Sequence, residues 1–382
     1  MILAIYILFS LAASVQSYLG SKKRINNSEI AYTKYNNYII FKQSFYHLIN
    51  DRDLYAVYPE EHWDLYKYTP TFSLAFGVFA VMTDLAGLIC WNLLNALVLF
   101  FAIWYLRGIS QPGKKWISLL ILIELMTSLQ NEQSNGLIAG LIVFGFGFLE
   151  RKKYASAVIA VLISSFIKIF GIAGFVMFLF YPQKWKVFIY SLCFGSLLFL
   201  LPLLVITSEQ YYSLMSSYTG MLSADYDMSY GYSVMGWLHS WFDFDPGKNI
   251  VMMTGLILFL VPFLRTRQYQ NYSFRLLMLS SLLIWLVIFN HKAESPTFII
   301  AVTGIAIWFT QSKKTILDIS LIILCLLLTS LSPTDIFPRY VRDNFITPYC
   351  LKALPCILIW MKIQVDIFTL SCRKEETGNS KL

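Results

Sequence analysis

Long apolar runs, separated by short charged connections, restrict this sequence to one kind of fold. Two of the runs, at 85–106 and 187–206, have the ~20 residues that an α-helix needs to cross a bilayer. Hydrophobic residues make up 57% of the chain and charged residues only 14%, against about 25% in soluble domains. Since backbone groups inside a bilayer must be hydrogen-bonded within the chain, we predict an all-α, polytopic helical membrane protein with about 11–13 membrane helices.

The order of apolar and polar stretches predicts a single integral-membrane domain over residues 1–370, followed by a cytoplasmic tail at 369–382. Its parts are a first span at 1–19, a first polar segment at 20–70, spans within 71–206, a second polar segment at 207–249, and spans within 250–368. Many spans follow the first one, so we predict that it is kept rather than cleaved as a signal peptide. The run 71–106 is too long for one span and predicts a short dipping helix followed by a full span from Leu85.

The net charge of +8 comes from small clusters of lysine and arginine between apolar runs. Such clusters favour the cytoplasmic side of a membrane, and they give no sign of nucleic-acid binding. The connections that carry them are 107–115, 150–153, 183–186, 265–275 and 312–314. Both polar segments are therefore predicted to form long non-cytoplasmic loops, although Lys22, Lys23 and Arg24 in the first segment run against the rule.

The run from Tyr154 to Tyr181 lies between two of these cationic connections, so it must cross the membrane twice or dip in and return. Gly171 permits a turn at 167–171, which would place Lys168 at the non-cytoplasmic end of a short hairpin. The alternative is one long tilted helix with Lys168 buried. A lysine at membrane depth is a candidate functional residue, and its expected partner is either Glu124 of a neighbouring span or a lipid phosphate.

The stretch 35–76 is rich in ionisable and aromatic side chains and is held between hydrophobic spans. Loops held by a rigid scaffold often carry function. The ionisable residues of this stretch include His47, Asp51, Asp53, Glu60, Glu61, His62, Asp64 and Lys67. Glu60, Glu61, His62 and Asp64 lack a second cluster at metal-ligand spacing, so we interpret them as a solvated turn and predict no metal site.

This stretch resembles the opening signature of glycosyltransferase family 87, a family of integral-membrane enzymes. The signature is carried by NNYIIFKQSFYHLINDRDLY and, further on, YKYTPTFSLAF. The resemblance continues, in order, through WNLLN at 91–95, NGL at 135–137, FIKI at 166–169 and SVMG at 233–236. It covers approximately residues 30–310.

The resemblance implies a GT-C enzyme of the plasma or inner membrane that acts in cell-envelope synthesis. Such an enzyme transfers a hexose, mannose-like, or a pentose from a polyprenyl-phosphate sugar donor to a glycan or glycolipid acceptor. Transfer takes place on the non-cytoplasmic face, with inversion, and an acidic residue near the start of the first polar segment is the general base. Its partners would be membrane lipids, the donor and the acceptor, with no nucleic acid. No cofactor and no obligatory metal are expected.

One position departs from the family pattern, because Asn37 falls where the acidic residue is expected. An amide cannot take a proton from a hydroxyl, which leaves three interpretations. The base has moved, Asn37 only orients the acceptor, or the protein has kept the fold without the chemistry. The candidates for a displaced base are Asp51, Asp53, Glu60, Glu61, Asp64, Asp225, Asp227 and Glu294.

The short connection 290–296 places a base, a cation and an acid together, as His291, Lys292 and Glu294. His291 and Glu294 would share a face on a helical turn, and with Asn37 and Asp53 they complete our set of candidate catalytic residues. The alternative is a helix-end cluster, in which Glu294 and Pro296 begin the next helix. The candidates for binding the lipid phosphate or other parts of the substrates are Lys168, Lys67, Lys292, Tyr66, Tyr68, Asp225 and Asp227.

Two other classes of protein compete with a transferase. A lipid-linked sugar transporter or flippase often shows two related halves, but this sequence has no visible internal repeat, and its polar residues concentrate in two segments. A catalytically inactive assembly partner with the same fold is the other alternative, and Asn37 is its main support.

Overall fold

The computed structural model describes residues 1–24, 30–225 and 230–370, with only the backbone of Asp225. Within these ranges the regular structure is helical apart from one pair of short strands, as the sequence predicted. The α-helices are α1 (Ile2–Leu19), α2 (Asn36–Ile49), α3 (Pro70–Ala80), α4 (Asp84–Tyr105), α5 (Gln111–Leu120), α6 (Leu122–Gln130), α7 (Asn135–Leu149), α8 (Tyr154–Ile167), α9 (Lys184–Leu200), α10 (Ser208–Asp225), α11 (Val234–Phe242), α12 (Lys248–Leu260), α13 (Tyr272–Ile288), α14 (Phe298–Gln311), α15 (Ile316–Leu324), α16 (Arg339–Val341) and α17 (Leu354–Thr369).

3₁₀ helices, π-helical segments and two short strands complete the chain. The 3₁₀ helices are Ile169–Phe180, Leu201–Leu204, Val261–Leu264, Thr266–Gln268 and Ser295–Thr297. Two π-helical segments occupy Cys325–Leu331 and Arg342–Ile346. The strands β1 (Lys23–Arg24) and β2 (Ala31–Tyr32) pair antiparallel, with Lys23 opposite Tyr32.

By length and composition, three helical stretches in the described ranges are suited to crossing a membrane. They are Ile2–Leu19, Asp84–Tyr105 and Lys184–Leu204, and eight shorter apolar helical stretches accompany them. The predicted all-α membrane fold is confirmed. The break within 71–106 is also confirmed, because α3 ends at Ala80 and α4 begins at Asp84.

Glycines bring the central helices close together. A Cβ at Gly140 of α7 would lie 2.8 Å from the Leu99 nitrogen of α4, and one at Gly304 of α14 would lie 2.7 Å from the Ser280 oxygen of α13. Small residues at helix contacts are typical of membrane bundles, because they let the two backbones approach. Helices α13 and α14 are buried along nearly their whole length and form the centre of the bundle.

The predicted hairpin at 154–181 is confirmed, and the alternative of one long tilted helix is wrong. Helix α8 ends at Ile167, Lys168 has an extended backbone, and the chain returns as the 3₁₀ helix Ile169–Phe180. A Cβ at Gly171 would lie 2.5 Å from the carbonyl carbon of Ser164, so the turn requires glycine there. The Tyr181 hydroxyl donates to Glu150, which shows that both ends of the hairpin lie at the same level.

Glu124 does not pair with Lys168, so this part of the prediction is wrong. The carboxylate of Glu124 on α6 accepts a hydrogen bond from Lys352 Nζ at 2.8 Å, and Lys352 also donates to the Thr329 carbonyl at 2.9 Å. Both charged side chains are almost completely buried. Because 228 residues separate them, no local sequence pattern could have predicted the pair.

The second polar segment contains more regular structure than a loop. Helix α10 covers Ser208–Asp225 and α11 covers Val234–Phe242. The Ser233 side chain begins α11 by accepting hydrogen bonds from Met235 N at 3.1 Å and Gly236 N at 3.3 Å. Serine is a favourable residue at this position because its oxygen satisfies amides at the start of a helix.

The ion pair between Glu124 and Lys352 gives a test of the bundle. Lys352→Met leaves the Glu124 carboxylate buried without its cation, and we expect a loss of about 3–5 kcal/mol in the free energy of unfolding. The double change Glu124→Leu with Lys352→Met removes both charges and should cost much less. Thermal unfolding in detergent, with the exposed Lys313→Met as control, checks this. Equal losses in the single and double variants would contradict the pairing.

Candidate functional site

A cavity of about 850 Å³ lies where the first polar segment meets the bundle. Its wall is contributed by α2 and the stretch before α3, the α6–α7 connection, the turn at Lys168, α10, α12, α13 and the connection to α14. Seven of the predicted site residues contribute to the lining. They are Asn37, Lys67, Tyr68, Lys168, His291, Lys292 and Glu294. Residues that are far apart in the sequence therefore converge on one space.

An aromatic cluster holds the first polar segment against the bundle. The ring of Phe41 on α2 packs edge-on against Tyr68, Phe72 and Trp91, at centroid distances of 4.8, 5.3 and 5.9 Å. Buried edge-to-face pairs of this kind stabilise a structure beyond the apolar area that they bury. The cluster fixes α2 across α3 and α4, and so fixes the position of Asn37 in the first turn of α2.

Lys168 is oriented by two amide oxygens. Its Nζ donates to Gln133 Oε1 at 2.9 Å and to Asn135 Oδ1 at 3.1 Å, and it lies 5.4 Å from the centroid of the Tyr68 ring. A lysine ammonium has three donors and no acceptor, so one further hydrogen bond can go to a bound anion. Neutral partners leave the charge of Lys168 uncompensated by a direct ion pair.

Gln133 joins this lysine to the predicted acid. While its Oε1 accepts from Lys168, its Nε2 donates to Glu294 Oε2 at 3.3 Å. Neither Gln133 nor Asn135 was among the predicted site residues. The available signal was the run Gln130 to Asn135, a group of polar residues between two apolar stretches.

The connection between α13 and α14 begins the next helix and also reaches the cavity. The Glu294 amide donates to Thr297 Oγ1 at 3.3 Å, and the turn Ser295–Thr297 leads directly into α14. The expected helix-end arrangement is therefore present. The Glu294 side chain is exposed and nevertheless lines the cavity together with His291 and Lys292.

The two amides at the start of α2 make different contacts. Asn37 Nδ2 donates to the Asn131 carbonyl at 2.8 Å, which leaves its Oδ1 as an acceptor at the cavity. Asn36 Oδ1 accepts from Trp63 N at 3.3 Å and is buried. Asn37 thus touches the same α6–α7 connection that carries Gln133.

A second carboxylate at the cavity belongs to Asp64. Its Oδ1 lies 3.3 Å from Lys67 Nζ, and both residues contribute to the lining. Among the described residues the cavity therefore has two carboxylates, Asp64 and Glu294, and each has a lysine or a lysine-bound amide beside it. Either carboxylate is chemically able to accept a proton from a hydroxyl group.

Two of the predicted residues, Asp53 and Tyr66, take other places, and two more cannot be placed. Asp53 is exposed and shapes a turn, because its Oδ1 accepts from Tyr55 N at 3.1 Å. Tyr66 is buried and donates to the Thr69 carbonyl at 2.8 Å. The Asp225 side chain and the whole of Asp227 lie outside the described residues.

Two buried histidines lie in the first polar segment. His62 is 3% exposed, and its Nδ1 lies 2.7 Å from the Asp64 carbonyl. Burial lowers the pKa of His62 and outweighs the opposite effect of this hydrogen bond. His47 Nε2 lies 2.8 Å from Glu61 Oε2, and burial again lowers its pKa although Glu61 acts to raise it.

The fold and the cavity together define a helical membrane protein with a charged site at the edge of an apolar bundle. A comparison with protein families agrees with the sequence resemblance, because the model of glycosyltransferase family 87 matches residues 66–288. This match covers more than half of the chain, and the protein belongs to that family. A comparison with curated proteins found no match. Family membership makes the protein a glycosyltransferase of a membrane family.

The matched region contains only part of the candidate site. Lys67, Tyr68, Gln133 and Lys168 lie inside 66–288, whereas Asn37 and the connection with His291 and Glu294 lie outside it. The sequence resemblance had been expected over 30–310. The catalytic roles of Asn37, His291, Glu294 and Asp53 therefore stay predictions, as do the binding roles of the lysines, tyrosines and aspartates.

The histidines give the first polar segment a pH-dependent stability. Because both have a lower pKa in the folded protein than the ordinary value of 6.5, the unfolded chain binds more protons as the pH falls through that value. We therefore expect the unfolding temperature in detergent to fall between about pH 7.5 and pH 5.5. His62→Gln should flatten this slope, and the exposed His239→Gln should leave it as it is. Equal slopes in all three proteins would contradict the assignment.

Proposed function

We propose that the protein transfers a hexose, mannose-like, or a pentose from a polyprenyl-phosphate carrier to a glycan or glycolipid acceptor. In this proposal the reaction occurs on the non-cytoplasmic face of the plasma or inner membrane and inverts the anomeric centre. The observation that carries the proposal is the position of Lys168, which is held by two neutral amides at the tip of a hairpin and faces the cavity. A phosphate is the natural partner of such a cation.

The charges of the cavity support a phosphorylated donor. Lys67, Lys168 and Lys292 contribute three cations to the lining, against the carboxylates of Asp64 and Glu294. An excess of positive charge in a concave site attracts an anionic substrate. We assign the donor phosphate to Lys168, with Lys67 and Lys292 at its sides.

The flank of the cavity supports a lipid carrier. Ile169 on the returning arm of the hairpin and Met253 on α12 both line the cavity, yet each is 55% exposed. The returning arm and the helical stretch Lys248–Leu264 meet at their far ends, where the rings of Phe180 and Phe263 stack at 5.0 Å. Exposed apolar side chains at the cavity lining, such as those of Ile169 and Met253, suit the hydrocarbon chain of a polyprenyl phosphate.

We assign the general base to Glu294. In the proposed reaction an acceptor hydroxyl oxygen bonds to the anomeric carbon while the bond from that carbon to the phosphate oxygen breaks. Glu294 takes the hydroxyl proton, and the phosphate leaves as an anion beside Lys168. Gln133 contacts Glu294 and Lys168 and keeps these two side chains at a fixed separation. Asn37 orients the acceptor through its Oδ1, so this assignment combines a displaced base with an orienting amide.

The first test concerns Lys168 and uses purified protein in detergent with polyprenyl-phosphate mannose and a panel of acceptor glycans. Lys168→Met should lower kcat/KM by about 10- to 100-fold, since a hydrogen bond to a charged group is lost. Lys168→Arg should retain part of the activity because it keeps the positive charge. The exposed Lys186→Met is the matched control. Equal activity in Lys168→Met and the control would overturn the assignment.

The second test concerns the base. Glu294→Gln should lower kcat by about 10²- to 10⁴-fold, as expected for loss of a general base, and should change the donor KM little. Asp64→Asn removes the other carboxylate of the cavity and should cost less. The exposed Glu209→Gln is the control for the loss of an acid.

An Asn37→Asp variant distinguishes the remaining alternatives. Turnover in the unsubstituted protein that is lost in Glu294→Gln supports a displaced base. Turnover that appears only in Asn37→Asp would mean that the natural chain has lost its base and favours an inactive assembly partner. Movement of the lipid-linked sugar across vesicles without transfer to an acceptor would favour a flippase instead.

A further inference from the structure

The second polar segment touches the α13–α14 connection through its backbone. The Tyr232 amide donates to the Ala293 carbonyl at 2.8 Å. Ala293 is 1% exposed and lies between Lys292 and Glu294, both of which line the cavity. A residue outside the cavity lining thus holds the centre of the chain segment that carries the proposed base.

The neighbouring Gly231 makes this approach possible. Its φ of 55° lies in the left-handed region that favours glycine. A Cβ at this position would lie 2.6 Å from the His291 carbonyl oxygen and 2.9 Å from the Ala293 carbonyl oxygen. Both obstacles are backbone atoms, so no side-chain rotation can relieve the overlap. Any larger residue must push the two segments apart.

Gly231 is also enclosed from the opposite side. A Cβ at Gly236 would lie 2.3 Å from the Gly231 carbonyl oxygen, which shows how closely the start of α11 packs behind it. The Cys350 thiol donates to the same oxygen at 3.9 Å. The Gly231 peptide therefore fills the space between α11 and the connection with His291 and Glu294, so an added side chain at Gly231 would disturb its contacts on both sides.

We propose that Gly231 and Tyr232 are positioning residues for the transfer reaction, a role that rests on the function proposed above. The α13–α14 connection is held on one side by Gln133, which donates to Glu294 at 3.3 Å, and on the other by Tyr232. The two contacts together set where the Glu294 carboxylate lies relative to Lys168. A displacement of about 1 Å in a reacting group costs about 10²-fold in rate, so the fit at Gly231 sets the catalytic rate.

A pair of glycine substitutions tests this role. Gly231→Ala should lower kcat by about 10²-fold and leave the donor KM close to its original value, because Lys168 is held by other residues. Gly247→Ala is the matched control. Gly247 also has a positive φ, of 85°, but an added Cβ there meets nothing within 4 Å. If both variants lose activity equally, backbone strain alone accounts for the effect and the positioning role is overturned.

Alkylation of Cys350 gives a readout that does not depend on activity. Its thiol contacts the Gly231 carbonyl, so displacement of Gly231 should expose it. We expect faster alkylation of Cys350 in Gly231→Ala than in Gly247→Ala or the unsubstituted protein, measured residue by residue by mass spectrometry. Cys193 is the internal reference, and the alkylating reagent is a membrane-permeant maleimide because α9 is suited to crossing a membrane. An unchanged rate at Cys350 would mean that the contact does not move, which overturns the proposal.

Amide hydrogen exchange on the unsubstituted protein covers the case in which Gly231→Ala does not fold. The Tyr232 amide should exchange slowly because it is bonded to a buried carbonyl. Rapid exchange would overturn the contact itself. Lack of turnover in the unsubstituted protein would instead overturn the proposed function and its catalytic consequence, while exchange and alkylation still decide whether the contact exists. Turnover with indistinguishable Gly231→Ala and Gly247→Ala would overturn only the positioning role.

Discussion

The arrangement of the cavity depends on one bridging amide. Gln133 accepts a hydrogen bond from Lys168 and donates one to Glu294, so it stands between a cation and an anion. A direct ion pair would neutralise both groups and fill the space between them. Because an amide gains and loses no proton at physiological pH, it separates the two charges without altering either. The lysine therefore stays available to a phosphate and the carboxylate to a hydroxyl.

Charge and hydropathy patterns predicted the parts of the fold that are local in sequence. The hairpin with Lys168 followed from two cationic connections and Gly171, and the break before α4 followed from the length of an apolar run. The cavity-lining positions of Lys168, Lys67 and Glu294 follow from the same pattern, since all were expected at one face of the membrane. Each of these inferences needed only the length of a span and the side on which cations accumulate.

The partners of the charged groups could not be predicted, because they depend on packing between distant segments. Glu124 was a reasonable partner for Lys168 by depth, yet Lys352 reaches it from 228 residues away. Gln133 and Asn135 carry no charge, so neither the positive-inside rule nor a search for acids and bases selects them. The contact of Gly231 with His291 could not be predicted either, because a glycine in a polar segment usually indicates only a turn.

The pitch of the returning arm has a consequence for the depth of the site. A 3₁₀ helix rises about 2.0 Å per residue and has three residues per turn, so residues three apart stand in one row. Gly171, Gly174, Met177 and Phe180 form such a row, and all four are buried. Each turn of three residues therefore adds about 6 Å to the length of the arm. Deleting one turn of three residues would move Lys168 inwards by that distance while the same face of the arm stayed packed. The number of residues in this arm therefore determines the depth of the cation.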